Sequence, residues 1–268
     1  MIRQITSLTN QTIKDIRALH MRKEREATGQ FLSEGLKIII DALDQGFAPQ
    51  ILVYGKDADT IQKNRHPLLD RAIRETLAAK GEVLEVTREI LEKISRKDNP
   101  QMVIAVFAQV NKTLADIDPQ SNDVWVALEQ VRDPGNLGTI IRTADAAGIG
   151  GVILIGDCVD PFSVETVRAT MGSIFALPIV RCTRDEFLAD RARWTGSIIG
   201  TLLTATHNHR TAAYRRPSLI LMGTEQSGLT PEIAAACDTH VKIPMKGRAD
   251  SLNLSVATGI MIYAAAGL

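Results

Sequence analysis

Three segments of the chain place glycine, proline and short polar residues directly after an apolar stretch of strand length. Residues 129–138 read Glu-Gln-Val-Arg-Asp-Pro-Gly-Asn-Leu-Gly and lead into a helical pattern that carries Arg142. Residues 223–229 read Gly-Thr-Glu-Gln-Ser-Gly-Leu, and residues 244–253 read Pro-Met-Lys-Gly-Arg-Ala-Asp-Ser-Leu-Asn. Glycine lets main-chain groups approach a ligand closely, and a guanidinium can bind a phosphate or a carboxylate through two parallel hydrogen bonds. The pattern predicts a site that holds its ligand largely through main-chain groups beside one arginine.

Each segment also has a plainer interpretation when it is taken alone. Turn glycines simply make turns, and Arg142 can form a surface ion pair with a nearby aspartate. Ser251 lies at the start of the last predicted helix, where a hydroxyl can cap the helix, whereas capping alone leaves Asn253 without a purpose. The three segments together favour a ligand site more strongly than any one of them.

Several common catalytic signatures are absent from the sequence. No GxGxxG follows a strand and no GxxxxGK[ST] occurs, which argues against a dinucleotide loop and a Walker-type phosphate site. GxSxG and HExxH are also missing, so a serine hydrolase and a zinc protease are not expected. The three cysteines are far apart, and His207 and His209 have no further ligand at metal spacing. We therefore expect neither a disulfide framework nor a bound metal.

The second half of the chain alternates strand-length apolar runs with helical patterns, which indicates an α/β fold. Strands are predicted at 124–128, 151–155, 177–180, 197–202, 218–222 and 240–243, and helices at 138–147, 164–170, 185–192, 231–236 and 252–266. Continuous apolar strands such as 219–222 suit a parallel sheet that is buried on both faces. Ligands of such sheets bind at the carboxyl ends of the strands, so we expect the three segments to meet in one cleft.

The first half shows the same alternation. Helices are predicted at 9–24, 36–43, 68–80 and 88–94, and strands at 51–54, 83–86 and 102–108, with Thr9 or Asn10 capping the first helix. Residues 109–123 are polar and poor in apolar side chains. This composition predicts a linker there between a domain at 1–108 and a domain at 124–268.

Composition limits the class of protein and of partner. The 268 residues are 45% hydrophobic and 23% charged, as in globular proteins, and the 4% of aromatic residues argues against an aromatic platform for base stacking. Basic and acidic residues balance at 31 each, but the first 25 residues hold six basic side chains against two acidic ones. Such a helix is either a solvated face or a local nucleic-acid contact. The sequence contains neither a signal-peptide pattern nor a run of about 18 apolar residues, so we expect a soluble cytoplasmic protein without membrane contact.

The three segments resemble, in order, the motifs of the SpoU (TrmH-like) branch of the SPOUT RNA methyltransferases. The matching stretches are 136–144, 222–229, and 243–245 together with 251–257. The resemblance covers about residues 121–268. The basic first domain is similar, more loosely, to the L30e-like substrate-binding domain that many members carry.

The resemblance implies a parallel α/β domain whose C-terminal segment forms a trefoil knot, acting as a homodimer. It implies S-adenosyl-L-methionine as cofactor, RNA as partner, and methyl transfer to a ribose 2′-hydroxyl. The residues that match the cofactor-binding positions are Gly223, Ile243, Met245 and Leu252, and those that match the catalytic positions are Asn136, Arg142, Glu225, Ser251 and Asn253. The family proposal makes the arginine the proton acceptor, whereas a guanidinium with a pKa above about 12 suits a phosphate anchor better.

The extra domain favours ribosomal RNA, most simply 23S rRNA, over transfer RNA as the substrate. A non-catalytic RNA-binding module of the same fold is the first alternative, and the presence of Asn136, Arg142, Ser251 and Asn253 argues against it. An unrelated phosphate-handling α/β enzyme is the second, and the missing Walker loop argues against that.

Overall fold

The computed structural model describes residues 1–56, 67–96, 98–99, 101–224 and 226–268. Its helices and strands are β1 Ile2–Ile5, α1 Gln11–Ala18, α2 Arg22–Thr28, β2 Gln30–Glu34, α3 Leu36–Asp44, β3 Ile51–Gly55, α4 Pro67–Ala78, β4 Glu82–Val86, α5 Arg88–Ser95, β5 Val103–Ala108, β6 Val124–Glu129, α6 Pro134–Ala146, β7 Val152–Ile155, α7 Val164–Thr170, β8 Ile179–Cys182, α8 Arg184–Asp190, β9 Ser197–Thr201, β10 His207–Asn208, β11 Ser218–Met222, α9 Pro231–Ala235, β12 Thr239–Lys242 and α10 Leu254–Ala266. They form two compact units. The first comprises Met1–Val110 with Asp160–Phe175, and the second comprises Asn111–Val159 with Ala176–Leu268.

The first unit is built on a five-stranded sheet in the order β1-β4-β3-β5-β2. Strand β5 runs in the direction opposite to the other four strands. Apolar side chains of α1 and α5 cover this sheet, with Ile13, Ile90 and Ile94 fully buried against strand residues such as Leu84. The edge strand β1 was not predicted, because its four residues alternate only weakly between apolar and polar. The elements from α3 to β5 lie within a few residues of their predicted positions.

The prediction of one continuous helix over 9–24 is wrong. The helix ends at Ala18, and α2 begins at Arg22 after an extended Met21. His20, which lies within that predicted helix, instead follows α1 and bonds through Nε2 to the Ile94 carbonyl at 2.6 Å. Within the same unit, the second helix points Arg25 inward to a 2.7 Å ion pair with Asp160. Because Arg25 and Asp160 are 135 residues apart in the sequence, helical periodicity could not predict this contact.

The second unit contains a seven-stranded sheet in the order β10-β12-β9-β11-β6-β7-β8, and every strand pair in it is parallel. Its interior strands bury both faces, and Trp125, Leu219 and Ile153 belong to one apolar cluster. The prediction of an α/β fold with a buried parallel sheet is confirmed. Because β12, β9, β11 and β6 are consecutive in the sheet, the loops at their carboxyl ends are neighbours.

Residues 111–123, predicted as a linker, pack within the second unit. They form two short 3-10 turns at Leu114–Asp116 and Pro119–Ser121. Leu114 and Ile117 are buried in the apolar cluster of that unit, and Trp125 donates a hydrogen bond from Nε1 to the Pro119 carbonyl at 3.2 Å. The few apolar residues of the polar segment are therefore anchors that hold it against the sheet.

Candidate active site

The three glycine-bearing segments meet at the carboxyl edge of the parallel sheet, as their positions after β6, β11 and β12 predict. Between the second and third segments and the end of β9 lies a cavity of about 290 Å³, here called the first cavity. Its lining residues are Thr201, Leu202, Leu203, Thr204, Met222, Gly223, Thr224, Gln226, Ser227, Gly228, Lys242, Ile243, Met245, Ser251, Leu252, Leu254 and Ala257. Gly223, Ile243, Met245 and Leu252, four positions singled out from the sequence, are all among them.

The second segment forms a tight turn that requires glycine at two positions. Thr224 and Gly228 exchange main-chain hydrogen bonds of 3.1 and 3.0 Å, and Gly228 adopts a left-handed φ of +67°. A Cβ on Gly223 would lie 2.0 Å from the Gly228 carbonyl carbon, which no side chain tolerates. The turn therefore closes only because Gly223 has no side chain, and this brings main-chain groups to the cavity wall.

Most of the first cavity is apolar, but it offers one unsatisfied polar group. Thr201 Oγ1, at the end of β9, is buried and has no hydrogen-bond partner in the part of the chain that the structure describes. A buried hydroxyl without a partner costs free energy, which a ligand that supplies a donor or an acceptor removes. The side chains of Ile243, Leu252 and Leu254 provide apolar surface in the same cavity. It is therefore suited to a largely apolar ligand with hydrogen-bonding edges.

The first segment enters its helix earlier than predicted. α6 begins at Pro134 rather than near Gly138, because Asp133 caps it by accepting a 2.6 Å hydrogen bond from the Asn136 N–H. Proline at the first helical position is a common start signal, since its missing N–H needs no partner there. Asn136 thus lies in the first helical turn, and only 9% of its surface is exposed.

The third segment delivers Asn253 to the start of α10. Its side-chain Oδ1 accepts hydrogen bonds from the N–H groups of Ser255 and Val256, at 2.9 and 3.4 Å. Its Nδ2 donates to Asn136 Oδ1 at 2.9 Å and so joins the starts of α10 and α6. The interpretation of Ser251 as a helix cap is wrong. Ser251 is exposed and lies two residues before the cap, where it lines the first cavity.

Arg142 lines neither the first cavity nor the second cavity, which is described below. It is exposed on α6 and makes no hydrogen bond or ion pair with the residues that the structure describes. Six residues along an α-helix amount to about 600°, so Arg142 points about 120° away from Asn136 around the helix axis. Glu225, the remaining predicted catalytic residue, lies outside the described residues.

A second cavity, of about 330 Å³, adjoins the first and shares Thr224, Gln226, Ser227 and Leu254 with it. Its other lining residues are Gln130, Val131, Arg132, Asp133 and Asn136. Sequence reasoning assigned Gln130 no role, since a glutamine in a loop carries no signal by itself. Its left-handed backbone, with a φ of +53°, is unusual for a residue other than glycine and appears only in the coordinates.

No group of three or more histidine, cysteine, aspartate or glutamate side chains that could hold a metal occurs among the described residues. The cysteines are free, and burial raises the pKa of Cys182 and of Cys237 to about 12. These thiols stay protonated at neutral pH and are poor nucleophiles. Within the described ranges, no helix is long and apolar enough to cross a membrane.

Comparison with known proteins matches both parts of the chain to family models. Residues 123–263 match the SpoU rRNA methylase family, and residues 10–105 match the MRM3-like substrate-binding domain. The chain is 30% identical to the Bacillus subtilis 23S rRNA (guanosine(2553)-2′-O)-methyltransferase RlmP, over 98% of both chains. It is also 30% identical to the 23S rRNA (uridine(2479)-2′-O)-methyltransferase of Streptomyces viridochromogenes, over 91% of this chain and 85% of that protein.

Among solved structures, the chain is similar to the crystal structure of an AdoMet-bound rRNA methyltransferase from Sinorhizobium meliloti. The sequences are 48% identical, the TM-score is 0.89, and the alignment covers 98% of this chain and 97% of that one. The resemblance inferred from the three motifs is confirmed by these matches. Because the family model spans more than half of the residues, the chain belongs to the SpoU rRNA methylase family.

Proposed function

We propose that this protein transfers the methyl group of S-adenosyl-L-methionine to a ribose 2′-hydroxyl of 23S rRNA. The observation that carries the proposal is that the second and third motif segments line the first cavity and the first segment lines the adjoining second cavity, at the carboxyl ends of adjacent parallel strands. Full-length relatives named for 23S rRNA 2′-O-methylation support the substrate class. They are named for guanosine and for uridine, so membership of the family leaves the base open.

The first cavity fits the cofactor. Apolar side chains, including Ile243, Met245 and Leu252, would enclose its flat heteroaromatic ring, and main-chain groups around Gly223 would meet the polar edge of that ring. Thr201 Oγ1 supplies a buried polar atom that needs a partner. S-adenosyl-L-methionine supplies the electrophilic methyl group of its sulfonium centre when it is bound.

The protein's own residues have to place the ribose oxygen in line with that methyl group and assist departure of the hydroxyl proton. Asn136, held by Asn253, lines the second cavity and positions the ribose. Ser251 orders the third segment beside it. Arg142, exposed and charged, anchors a phosphate of the RNA that accepts the proton or passes it to water. Glu225, which lies outside the described residues, matches a catalytic position of the family.

The domain predicted at residues 1–108, which lies within the continuous part of the first unit, serves as the RNA-docking domain. Exposed Lys14, Arg17 and Lys23 make no ion pair with residues that the structure describes. They can exchange counterions for RNA phosphates, which supply most of the affinity of such complexes. The match to a substrate-binding domain over 10–105 supports this division of labour.

We further propose a homodimer that acts in the cytoplasm and whose C-terminal segment is threaded into the trefoil knot of the family. α10 supports the dimer, because Val256 and Tyr263 remain 51% and 40% exposed on a helix that is apolar nearly throughout. Large apolar side chains exposed together on one helix are typical of a surface that another protein covers.

The proposal is tested with the full chain, radiolabelled S-adenosyl-L-methionine, and rRNA purified from cells that lack the gene. We expect label in 23S rRNA at one nucleotide, located by mapping of 2′-O-methyl groups, and none in rRNA from cells that retain the gene. Transfer of label to transfer RNA alone would replace the substrate, and label on a base rather than on the ribose would overturn the proposed reaction.

A further inference from the structure

Gln130 occupies a strained position at the rim of the second cavity. It directly follows β6, its N–H bonds to the Ile155 carbonyl at 3.1 Å, and its backbone adopts a φ of +53°. Left-handed backbone at a residue other than glycine is unfavourable and tends to persist where function requires it.

The carboxamide of Gln130 is available to a ligand. The side chain is half-buried and lines the second cavity, yet it forms no hydrogen bond with the described part of the chain. A carboxamide provides two donors and one acceptor side by side. It can therefore pair with a ligand edge that carries both kinds of group.

The charges around the second cavity favour a neutral ligand over a phosphate. Arg132 is the arginine of the lining, and its guanidinium is paired with Asp157 at 2.7 Å. Asp133 adds a carboxylate to the same wall, which repels an anion. Val131 and Leu254 are buried and give the cavity apolar surface as well. Flat apolar faces together with a neutral hydrogen-bonding edge are the chemistry of a nucleobase.

The second cavity also lies where the base of the target nucleotide has to go. It adjoins the first cavity through Thr224, Gln226, Ser227 and Leu254, and it includes Asn136. A nucleotide whose ribose lies at Asn136 extends its base away from the methyl donor, into this space. Enzymes that modify single nucleotides commonly take them out of the stack into such a pocket and read the base by hydrogen bonds.

From this geometry we infer that the second cavity receives the unstacked base of the target nucleotide and that Gln130 reads its edge, which makes Gln130 a specificity-determining residue. The inference rests on the proposed methyl transfer to RNA. Gln130 contributes to the choice among bases and not to binding of the methyl donor, because it lines only the second of the two cavities.

The test uses the full chain and a synthetic RNA fragment around the mapped nucleotide, made in four versions that differ only in the target base. The wild type and the Gln130→Gly and Gln130→Glu variants are compared by initial rates of methyl transfer. Glycine removes the amide without strain at this φ, and glutamate keeps the size but replaces the NH₂ donor by an acceptor. Gln120→Ala, a change at an exposed glutamine outside both cavities, is the matched control.

We expect Gln130→Gly to reduce the preference for the favoured base by about 5- to 100-fold, as loss of a two-point base contact does. Gln130→Glu should reorder the four bases, which a merely structural role would not do. The dissociation constant for S-adenosyl-L-methionine, from calorimetry, should stay within about twofold of the wild type in both.

An unchanged order and spread of the four rates in both variants, with methyl transfer intact, would overturn the role of Gln130 while the proposed function stands. Absence of ribose methylation by the wild-type chain on any RNA would instead overturn the proposed function, and this inference with it. Loss of donor binding in Gln130→Gly would assign the residue to the fold and also overturn the inference.

Discussion

The two adjoining cavities of the second unit are built from different materials. The first is enclosed by apolar side chains and by a tight glycine turn at Gly223, which brings main-chain groups to the cavity wall. The second is lined by side-chain amides and charges, including Gln130, Arg132 and Asn136. A main-chain lining serves one constant ligand, since side-chain substitutions barely alter it. A side-chain lining can change its preference by single substitutions, which suits a variable substrate.

The largest expected effect comes from a change that impairs use of the RNA substrate and leaves binding of the methyl donor intact. Arg142→Ala should lower the rate of methyl transfer by at least about 100-fold, because the RNA loses the proposed phosphate anchor that keeps its ribose in line with the methyl group. Donor affinity should remain near the wild-type value, since Arg142 lines neither cavity. Single-turnover rates and calorimetry with S-adenosyl-L-methionine measure the two quantities. Equal losses of rate and donor affinity would show that the two sides are not separable.

The converse change breaks the donor side. Gly223→Ala places a methyl group into the Gly228 backbone, and such overpacking should weaken donor binding by about 10- to 100-fold. Gly247→Ala on the third segment is the matched control, because a Cβ there meets nothing within 4 Å. Calorimetry of both variants decides the matter, and a Gly223→Ala protein with wild-type donor affinity would remove the second segment from the donor site.

The separation between RNA binding and donor binding can also be tested on exposed basic side chains of the first unit. Replacing Lys14, Arg17 and Lys23 together by alanine should weaken RNA binding and reduce the slope of log affinity against log salt by up to about 3. Donor affinity should not change. RNA-binding titrations at several salt concentrations measure this slope, with Lys80→Ala as a single-charge control in the same unit. An unaltered slope would exclude this face from RNA docking.

The smallest effect separates the two jobs of Asn253. Asn253→Ala removes the cap of α10 and should lower the free energy of unfolding by about 1 kcal/mol, whereas Asn253→Asp keeps the capping oxygen and most of that stability. Both lose the Nδ2 bond to Asn136, so both should transfer methyl groups more slowly than the wild type. Urea unfolding together with rate measurements makes the distinction. A fully active Asn253→Asp protein would mean that the asparagine pair only stabilises the fold.

The sequence predicted the parallel sheet and the meeting of the three segments because both follow from local patterns. Apolar runs identify buried strands, and the loops after neighbouring parallel strands necessarily share one edge. The four positions that the family resemblance assigns to the cofactor, Gly223, Ile243, Met245 and Leu252, line the first cavity. Their cofactor contacts remain a prediction.

The features that were missed depend on contacts distant in sequence or on unusual backbone. The break between α1 and α2 accompanies the bond from His20 to Ile94, which lies 74 residues away. The early start of α6 depends on the Asp133 cap, a local signal that was present but overlooked. The left-handed conformation of Gln130 could not be predicted from the sequence. Glycine and asparagine are typical of left-handed backbone, whereas glutamine is not.

The assignment of Asp160–Phe175 to the first unit means that this unit is discontinuous in the chain. During synthesis, about fifty residues after Val110 have to be translated before Asp160 can form its ion pair with the buried Arg25 guanidinium. A fragment that stops at Val110 would therefore keep an uncompensated charge in its interior, which is strongly destabilising. No single cut of the polypeptide yields both units whole. The two units therefore have to be expressed together, from one uninterrupted coding sequence.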